Sequence, residues 1–277
     1  MRRGSGVLLV ALAFAACKRA PPKPAAGPVA PADSQIPAGP LGDAIRRGQA
    51  LLLATRDSLP AHVGNKLRCV SCHLDEGRRP AGTWVGAYGR YPQYRARSGT
   101  VESIEFRVND CFLRSLNGAA LDPAGKDMRD IVAYLAFLSW GTPAGLPPAK
   151  KATPFDTLTP DTARGRAVFA ARCAKCHGPD GQGLATVPPL WGPGGYNIGA
   201  GMSRVRTAAA FVRANMPYDQ PGILSDQEAL DVAAFVDGQP RPDFTGKEHD
   251  WPKGGAPPDV AYSVLSAARK PAPARPR

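Results

Sequence analysis

The chain has 277 residues, 43% of them apolar and 21% charged, which suits packed cores in about two domains and excludes wholesale disorder. Thirty glycines and thirty prolines assign a large share to loops and extended segments, and no apolar run beyond the N-terminus reaches the roughly 18 residues of a membrane span, so a polytopic membrane protein is excluded. The net charge of +12 favours anionic partners without choosing among them.

Residues 1–17 open with Met-Arg-Arg, continue through an apolar run from Val7 to Ala16 and reach Cys17. A basic start, a short apolar centre and small residues before a cleavage point predict a secretory signal rather than a spanning helix. Cys17 directly after Phe14-Ala15-Ala16 resembles a bacterial lipoprotein signal, with Cys17 the lipidated first residue of the mature chain; ordinary cleavage near Ala16 is the alternative. Either way the mature protein is expected on the periplasmic side of a bacterial envelope, touching membrane only through that lipid. Residues 18–40, rich in Pro and Ala, read as a tether.

Two blocks then follow one plan. The first, residues 41–142, opens with an amphipathic helix from Asp43 to Leu51 and closes with a helix over Lys126–Leu138, whose apolar face holds Ile131, Tyr134, Leu135 and Leu138. Residues 143–160 read as a Pro-rich linker. The second block, 161–240, opens with a helix from Asp161 to Phe169, and Ser225-Asp226-Gln227-Glu228 carries the capping signature of its closing helix. The segments from Asp130 to Leu135 and from Asp231 to Val236 correspond. Residues 241–277 are Pro- and Gly-rich again and are expected to wrap the surface as an irregular tail.

Each block carries one Cys-x-x-Cys-His pentad: Cys69-Val70-Ser71-Cys72-His73 and Cys173-Ala174-Lys175-Cys176-His177. That spacing is the attachment signal for c-type haem, with two thioether bonds to the porphyrin and the adjacent histidine on iron. A four-cysteine zinc site is the alternative, but it would leave both histidines without a role. The expected fold is mainly α: two tandem cytochrome c-type domains holding two covalently bound haem c groups, with long loops.

Each iron needs a second axial ligand. In the second block Met216, followed by Pro217 and the closing helix, fits the plan; Met202, within a glycine-rich stretch, is the alternative. The same register in the first block lands on Cys111, and no methionine lies between His73 and Cys111. A thiolate there would lower the haem's reduction potential and point to catalysis; Cys111 as a buried small hydrophobe, with His62 as ligand, is the alternative. Seven arginines (Arg78, Arg79, Arg90, Arg95, Arg97, Arg107, Arg114) lie around Cys111 against Glu102, Glu105 and Asp110. Most read as a solvated face, although arginine forks also suit oxyanions. Trp84, Tyr88, Tyr91 and Tyr94 lie among them, yet an exported haem protein argues against nucleic acid as a partner.

The runs Gly82-Thr83-Trp84-Val85-Gly86, Arg90 to Gly99 and Arg107 to Gly118 resemble the catalytic domain of the dihaem thiosulfate dehydrogenases that form tetrathionate. Pro188 to Gly192, Tyr196 to Met202 and Asn215-Met216-Pro217 resemble that family's electron-acceptor domain, so the resemblance spans about residues 40–262. It implies His73 and Cys111 on the first haem, His177 and Met216 on the second, and Arg97, Arg107 and Ser115 with Cys111 at the substrate site. It also implies a soluble c-type cytochrome or similar acceptor for the electrons. Some members exchange a lysine with the methionine, but no lysine lies between Lys175 and Lys247 here. The rival readings are a non-catalytic lipid-tethered dihaem relay and a dihaem peroxidase. His249 and Trp251 carry no expected role beyond packing of the tail.

Overall fold

The computed structural model describes residues 29–79, 81–145, 154–184 and 186–264. The signal segment with Cys17, the first part of the tether, the middle of the linker and the last residues lie outside the described residues. No described helix is long and apolar enough to cross a membrane.

The first unit is built on α1 (Pro40–Leu53), α2 (Ile104–Arg114) and α3 (Lys126–Phe137). α1 buries Ile45, Gly48, Leu51 and Leu52, a three-to-four spacing that makes one stripe, and lays it on α3. α3 answers with Met128, Ile131, Tyr134, Leu135 and Phe137. The second unit repeats this with α4 (Thr162–Val168), α5 (Val205–Asn215) and α6 (Asp226–Asp237), α6 packing on both α4 and α5. Asp161 caps α4 by accepting from the backbone of Ala163 and Arg164, and Ser225 with Glu228 forms the capping box of α6. A short hairpin, Gln93–Arg95 against Thr100–Glu102, pairs Tyr94 with Val101 and is the one sheet among the described residues.

The duplication reaches single atoms. Where α1 crosses α3, Arg47 pairs with Asp130 at 2.6 Å, and a Cβ on Gly48 would stand 1.9 Å from the Asp130 carbonyl oxygen. Where α4 crosses α6, Arg164 pairs with Asp231 at 2.7 Å, and a Cβ on Gly165 would stand 2.0 Å from the Asp231 carbonyl oxygen. An Arg-Gly step on the opening helix thus sets backbone against backbone at both crossings. The pentads are reached differently. α4 continues through a π-turn, Phe169–Cys173, directly into the turn Ala174–His177, whereas a helical turn at Thr55–Ser58 and a 3-10 turn at Pro60–His62 intervene before Cys69.

The cores differ in weight. The first gathers large side chains such as Tyr134, Phe112, Phe137 and Leu138, with Tyr196 and Ala200 contributed from the second unit. The second holds Phe155, Leu230 and four alanines, Ala208, Ala209, Ala229 and Ala233. Beside it Phe169, Trp191 and Phe235 form an aromatic trio, of which only Phe169 is fully buried. Met202 packs against both cores. Part of the stretch expected as a tether is docked: Ile36 is buried in the first core, and Asp33 pairs with Arg78. The tail folds back onto the first unit through Asp250 and Trp251, both buried.

Candidate active site

α2 presents the first site. Ser103 caps it by accepting from the Phe106 backbone at 3.3 Å, and steps of four residues put Arg107, Cys111 and the C-cap residue Ser115 on one face. Its last carbonyls are not left to solvent. Asn197, 1% exposed, donates from Nδ2 to the Leu113 carbonyl at 3.0 Å, and Asn65 donates to the Ser115 carbonyl at 2.8 Å. The second unit therefore helps to fix the helix that carries Cys111.

Arg107 donates from Nη1 to Cys111 Sγ at 2.9 Å. The Cys111 charge holds the Arg107 guanidinium above its ordinary value against the burial that opposes it, and Asp110, 3.5 Å away, adds to the effect. Burial pushes the Cys69 and Cys72 thiols up to about 12 each, and the Cys111 charge reinforces the shift at both. Burial lowers His73 to about 4, with the Arg107 charge acting in the same direction. His73 Nδ1 lies 2.5 Å from the Gly82 carbonyl oxygen, and its ring stacks on Trp84 with centroids 4.7 Å apart. The charges of Cys111 and Arg107 thus reach the first pentad.

The second site is simpler. His177 Nδ1 lies 3.0 Å from the Pro188 carbonyl oxygen, and burial lowers its pKa. Burial raises the Cys173 thiol to about 11. Met216, half-buried, is the C-cap of α5, and the loop beyond it is tied to the pentad by Lys175 and Asp219 at 2.7 Å. That loop also touches the first unit. Asn215 donates to the Ala81 carbonyl at 3.3 Å, next to the glycine that holds His73, and Arg79 stacks over Tyr218 at 4.7 Å.

These residues fit covalent haem at both pentads. Each pentad histidine donates from Nδ1 to a backbone carbonyl, which turns the Nε2 lone pair outward for a metal. Four buried guanidinium nitrogens, Arg79 Nη1, Arg204 Nε, and Arg241 Nε and Nη1, have no hydrogen-bond partner among the described residues and suit the propionate groups of a porphyrin. The alanine-rich second core with its half-covered aromatic trio leaves apolar surface for a large flat ligand. Among the described residues no three His, Cys, Asp or Glu side chains could hold a bare metal ion, so the four-thiolate alternative does not form.

The other expected residues are spread more widely. Arg97 donates to the Gly199 carbonyl at 2.8 Å and stacks on Trp251, so its contacts are with the second unit and the tail rather than with Cys111. His62 Nδ1 meets the Ala119 carbonyl oxygen at 3.1 Å. Most of the arginine run is structural: Arg78 pairs with Asp33 and Glu76, Arg79 with Asp75, and Arg114 with Asp110 and Asp250. Residue-type patterns gave no signal for Asn65, Asn197 and Asp250, because each acts across a large sequence separation.

Between the units lies a buried trio. Tyr196 donates to Asp237 at 2.9 Å, and Arg241 stacks over the Tyr196 ring and reaches Asp237 at 3.4 Å. Burial raises the Asp237 carboxyl to about 7, although Arg241 and Tyr196 act the other way. A folded-state pKa above the unfolded value means stability that is full below the unfolded pKa, near 3.8, and is lost as pH rises through about 7. Thermal unfolding should show wild type losing on the order of 2 kcal/mol relative to Asp237→Asn between about pH 5 and pH 7.5. Parallel curves for the two proteins would show that Asp237 does not titrate there.

Comparison with known proteins places this geometry in a family. The SoxA/TsdA cytochrome c domain matches residues 61–144, and the cytochrome c domain matches residues 162–240. The thiosulfate dehydrogenase of Psychrobacter arcticus is 42% identical over 83% of this chain and 73% of its own length, and that of Allochromatium vinosum 44% identical over 77% and 84%. The thiosulfate dehydrogenase TsdBA structure from Marichromatium purpuratum superposes with a TM-score of 0.73 at 35% identity, covering 84% of this chain and 54% of that one. The chain therefore belongs to the thiosulfate dehydrogenase family, with two cytochrome c domains that each carry a covalently bound haem c.

Proposed function

We propose that this chain joins two thiosulfate ions into tetrathionate at a haem held by His73 and Cys111. His177 and Met216 would hold a second haem, which would supply a one-electron acceptor on the way to a soluble c-type cytochrome or similar acceptor. The observation that carries this reading is the half-buried Arg107–Cys111 contact, whose charges act on Cys69, Cys72 and His73. A plain electron relay needs neither a thiolate nor an arginine on it. When bound, the two haems supply two one-electron acceptors in sequence, which matches a two-electron oxidation.

The protein's own groups then have defined tasks. Cys111 Sγ bonds to the sulfane sulfur of the first thiosulfate, and two electrons are released as that sulfur–sulfur bond forms. The sulfane sulfur of the second thiosulfate attacks this adduct, breaks the bond to Cys111, leaves as tetrathionate and returns the thiolate. Each step sets a thiosulfate dianion against a single negative charge, first the Cys111 thiolate and then its adduct, which at 4 Å costs about 2 kcal/mol in bulk water and more in a cleft. Arg107 offsets part of that charge at the sulfur, and Arg97 extends the positive field. Ser115, one turn beyond Cys111, offers a hydroxyl on the same face.

Thiosulfate added to the oxidised protein should bleach it to the reduced haem spectrum and yield tetrathionate; an unchanged spectrum would leave the relay reading, and rapid turnover of hydrogen peroxide instead would favour the peroxidase. Arg107→Gln removes a charge-assisted hydrogen bond of about 1.5–3 kcal/mol, so kcat/KM for thiosulfate should fall about 10- to 150-fold. Steady-state kinetics that stay within twofold of wild type would take Arg107 out of the reaction. We propose that the mature protein lies on the periplasmic side of a bacterial envelope, anchored by lipid on Cys17; the mass of its purified N-terminal peptide tests this.

A further inference from the structure

The C-terminal strap beyond residue 240 lies outside both matched domains, yet it delivers a buried carboxylate to the catalytic unit. Asp250 is 4% exposed and both of its carboxylate oxygens accept hydrogen bonds. Its two oxygens take the fork of Arg114 at 2.7 and 2.8 Å, and Tyr262 donates its hydroxyl to the same group. Arg97 Nε lies 3.8 Å away. The next residue, Trp251, donates its backbone N–H to the Arg97 carbonyl at 2.6 Å and lies under the Arg97 guanidinium at 4.7 Å. Lys253 fastens the strap beyond, donating to the Gly99 carbonyl at 2.9 Å.

The pairing continues to the sulfur. Arg114 turns its Nε to Asp110, Asp110 lies 3.5 Å from Arg107, and Arg107 donates to Cys111 at 2.9 Å. Opposite charges therefore alternate along Arg97, Asp250, Arg114, Asp110 and Arg107, and the series ends at the Cys111 sulfur. A bidentate carboxylate–guanidinium fork fixes direction as well as charge. A surface strap needs no buried acid for packing; here the acid takes both Nη atoms of Arg114, whose Nε is held by Asp110, and sets a negative charge beside Arg97, which the Gly199 carbonyl also holds.

We propose that Asp250 is a positioning residue for thiosulfate oxidation: by holding Arg114 and Arg97 it sets the orientation of the arginine array around Cys111. This rests on the reading of Cys111 as the reacting sulfur. Asp250 does not touch substrate; it acts through the arginines. Its removal leaves the array one unit more positive but poorly aimed, so anion affinity is kept while the reacting geometry is lost.

The test is Asp250→Asn in the full haem-loaded protein, with kcat and KM for thiosulfate, the near-infrared thiolate–haem band and the melting temperature measured together. The expected result is a kcat lower by about 10- to 100-fold with KM unchanged or lower, since small misplacements near reacting atoms cost on that scale. The near-infrared band should shift while the spectrum of the His177 haem stays as in wild type. Should the variant fold poorly, Tyr262→Phe, which removes one hydroxyl from Asp250, should change kcat and the band in the same sense by a smaller factor. A raised KM at unchanged kcat overturns the proposal, as does a loss of activity that merely follows the loss of folded protein. Kinetics and band both at wild-type values overturn it too. If the wild-type protein fails to oxidise thiosulfate, the functional reading falls, and the band alone still decides whether Asp250 is coupled to Cys111.

Discussion

Cys111→Gly is expected to lose thiosulfate turnover by at least about a thousandfold while the purified chain keeps the mass of two attached haems. Both pentads are intact in this variant, and Cys111 lies on α2, whose caps at Ser103 and Asn197 do not involve its side chain. The fold and haem attachment should therefore survive. What is lost is a sulfur that Arg107 holds at 2.9 Å and whose charge acts on Cys69 and Cys72. Cys111→Met separates two roles of that sulfur: a thioether can still serve as a soft ligand but cannot form the covalent adduct. It too should be inactive, with the first haem's potential raised because the thiolate charge is gone. Turnover by either variant at the wild-type rate would remove covalent catalysis from the mechanism.

Gly48→Ala and Gly165→Ala should each cost more than about 3 kcal/mol, read as a fall of well over 10 °C in melting temperature or as failed haem loading of the affected unit. Helix propensity argues the reverse, since alanine in place of a mid-helix glycine is worth about 1 kcal/mol in favour. Position decides which effect wins. The added methyl carbon would lie 1.9 Å from the Asp130 carbonyl oxygen in one case and 2.0 Å from that of Asp231 in the other. Backbone cannot swing aside as a flexible side chain does, so the helices would have to part by more than an ångström. That would pull Arg47 from Asp130, or Arg164 from Asp231, and open the cradle behind the pentad. Gly141, which has nothing within 4 Å, is the control: its left-handed φ of +73° makes alanine there a strain of about 1 kcal/mol and no more. Equal melting temperatures for all three variants would show that the crossings are looser than the geometry implies.

Much of this architecture could be read from the chain. The pentads are local motifs whose five residues carry their own chemistry; α1 and α3 show their stripes, and α6 its capping box, within a dozen residues. The step of four from Arg107 to Cys111 needed only a helix to bring guanidinium and sulfur together. What stayed hidden is long-range. Nothing near Asp250 distinguishes it from other acids of a Pro-rich tail, and its partner Arg114 lies in the other half of the chain. Trp251, without an expected role, is buried beneath Arg97. Arg97 itself, read as a substrate residue from a local motif, spends its hydrogen bond on the Gly199 carbonyl, because the second unit comes close enough to accept it. Asn65 and Asn197 likewise cap α2 from positions that no periodicity marks.

The thin second core has a consequence for how the molecule is made. Ala208, Ala209, Ala229 and Ala233 let α5 and α6 touch, but methyl groups bury little hydrocarbon, and small units close unaided only with difficulty. The porphyrin must then complete the nucleus on which these helices collapse. Biogenesis acquires an order: thioether formation comes first, on a slack polypeptide that presents Cys173 and Cys176 freely, and compaction follows. A cell short of iron is then expected to accumulate chain whose second unit stays open to proteases.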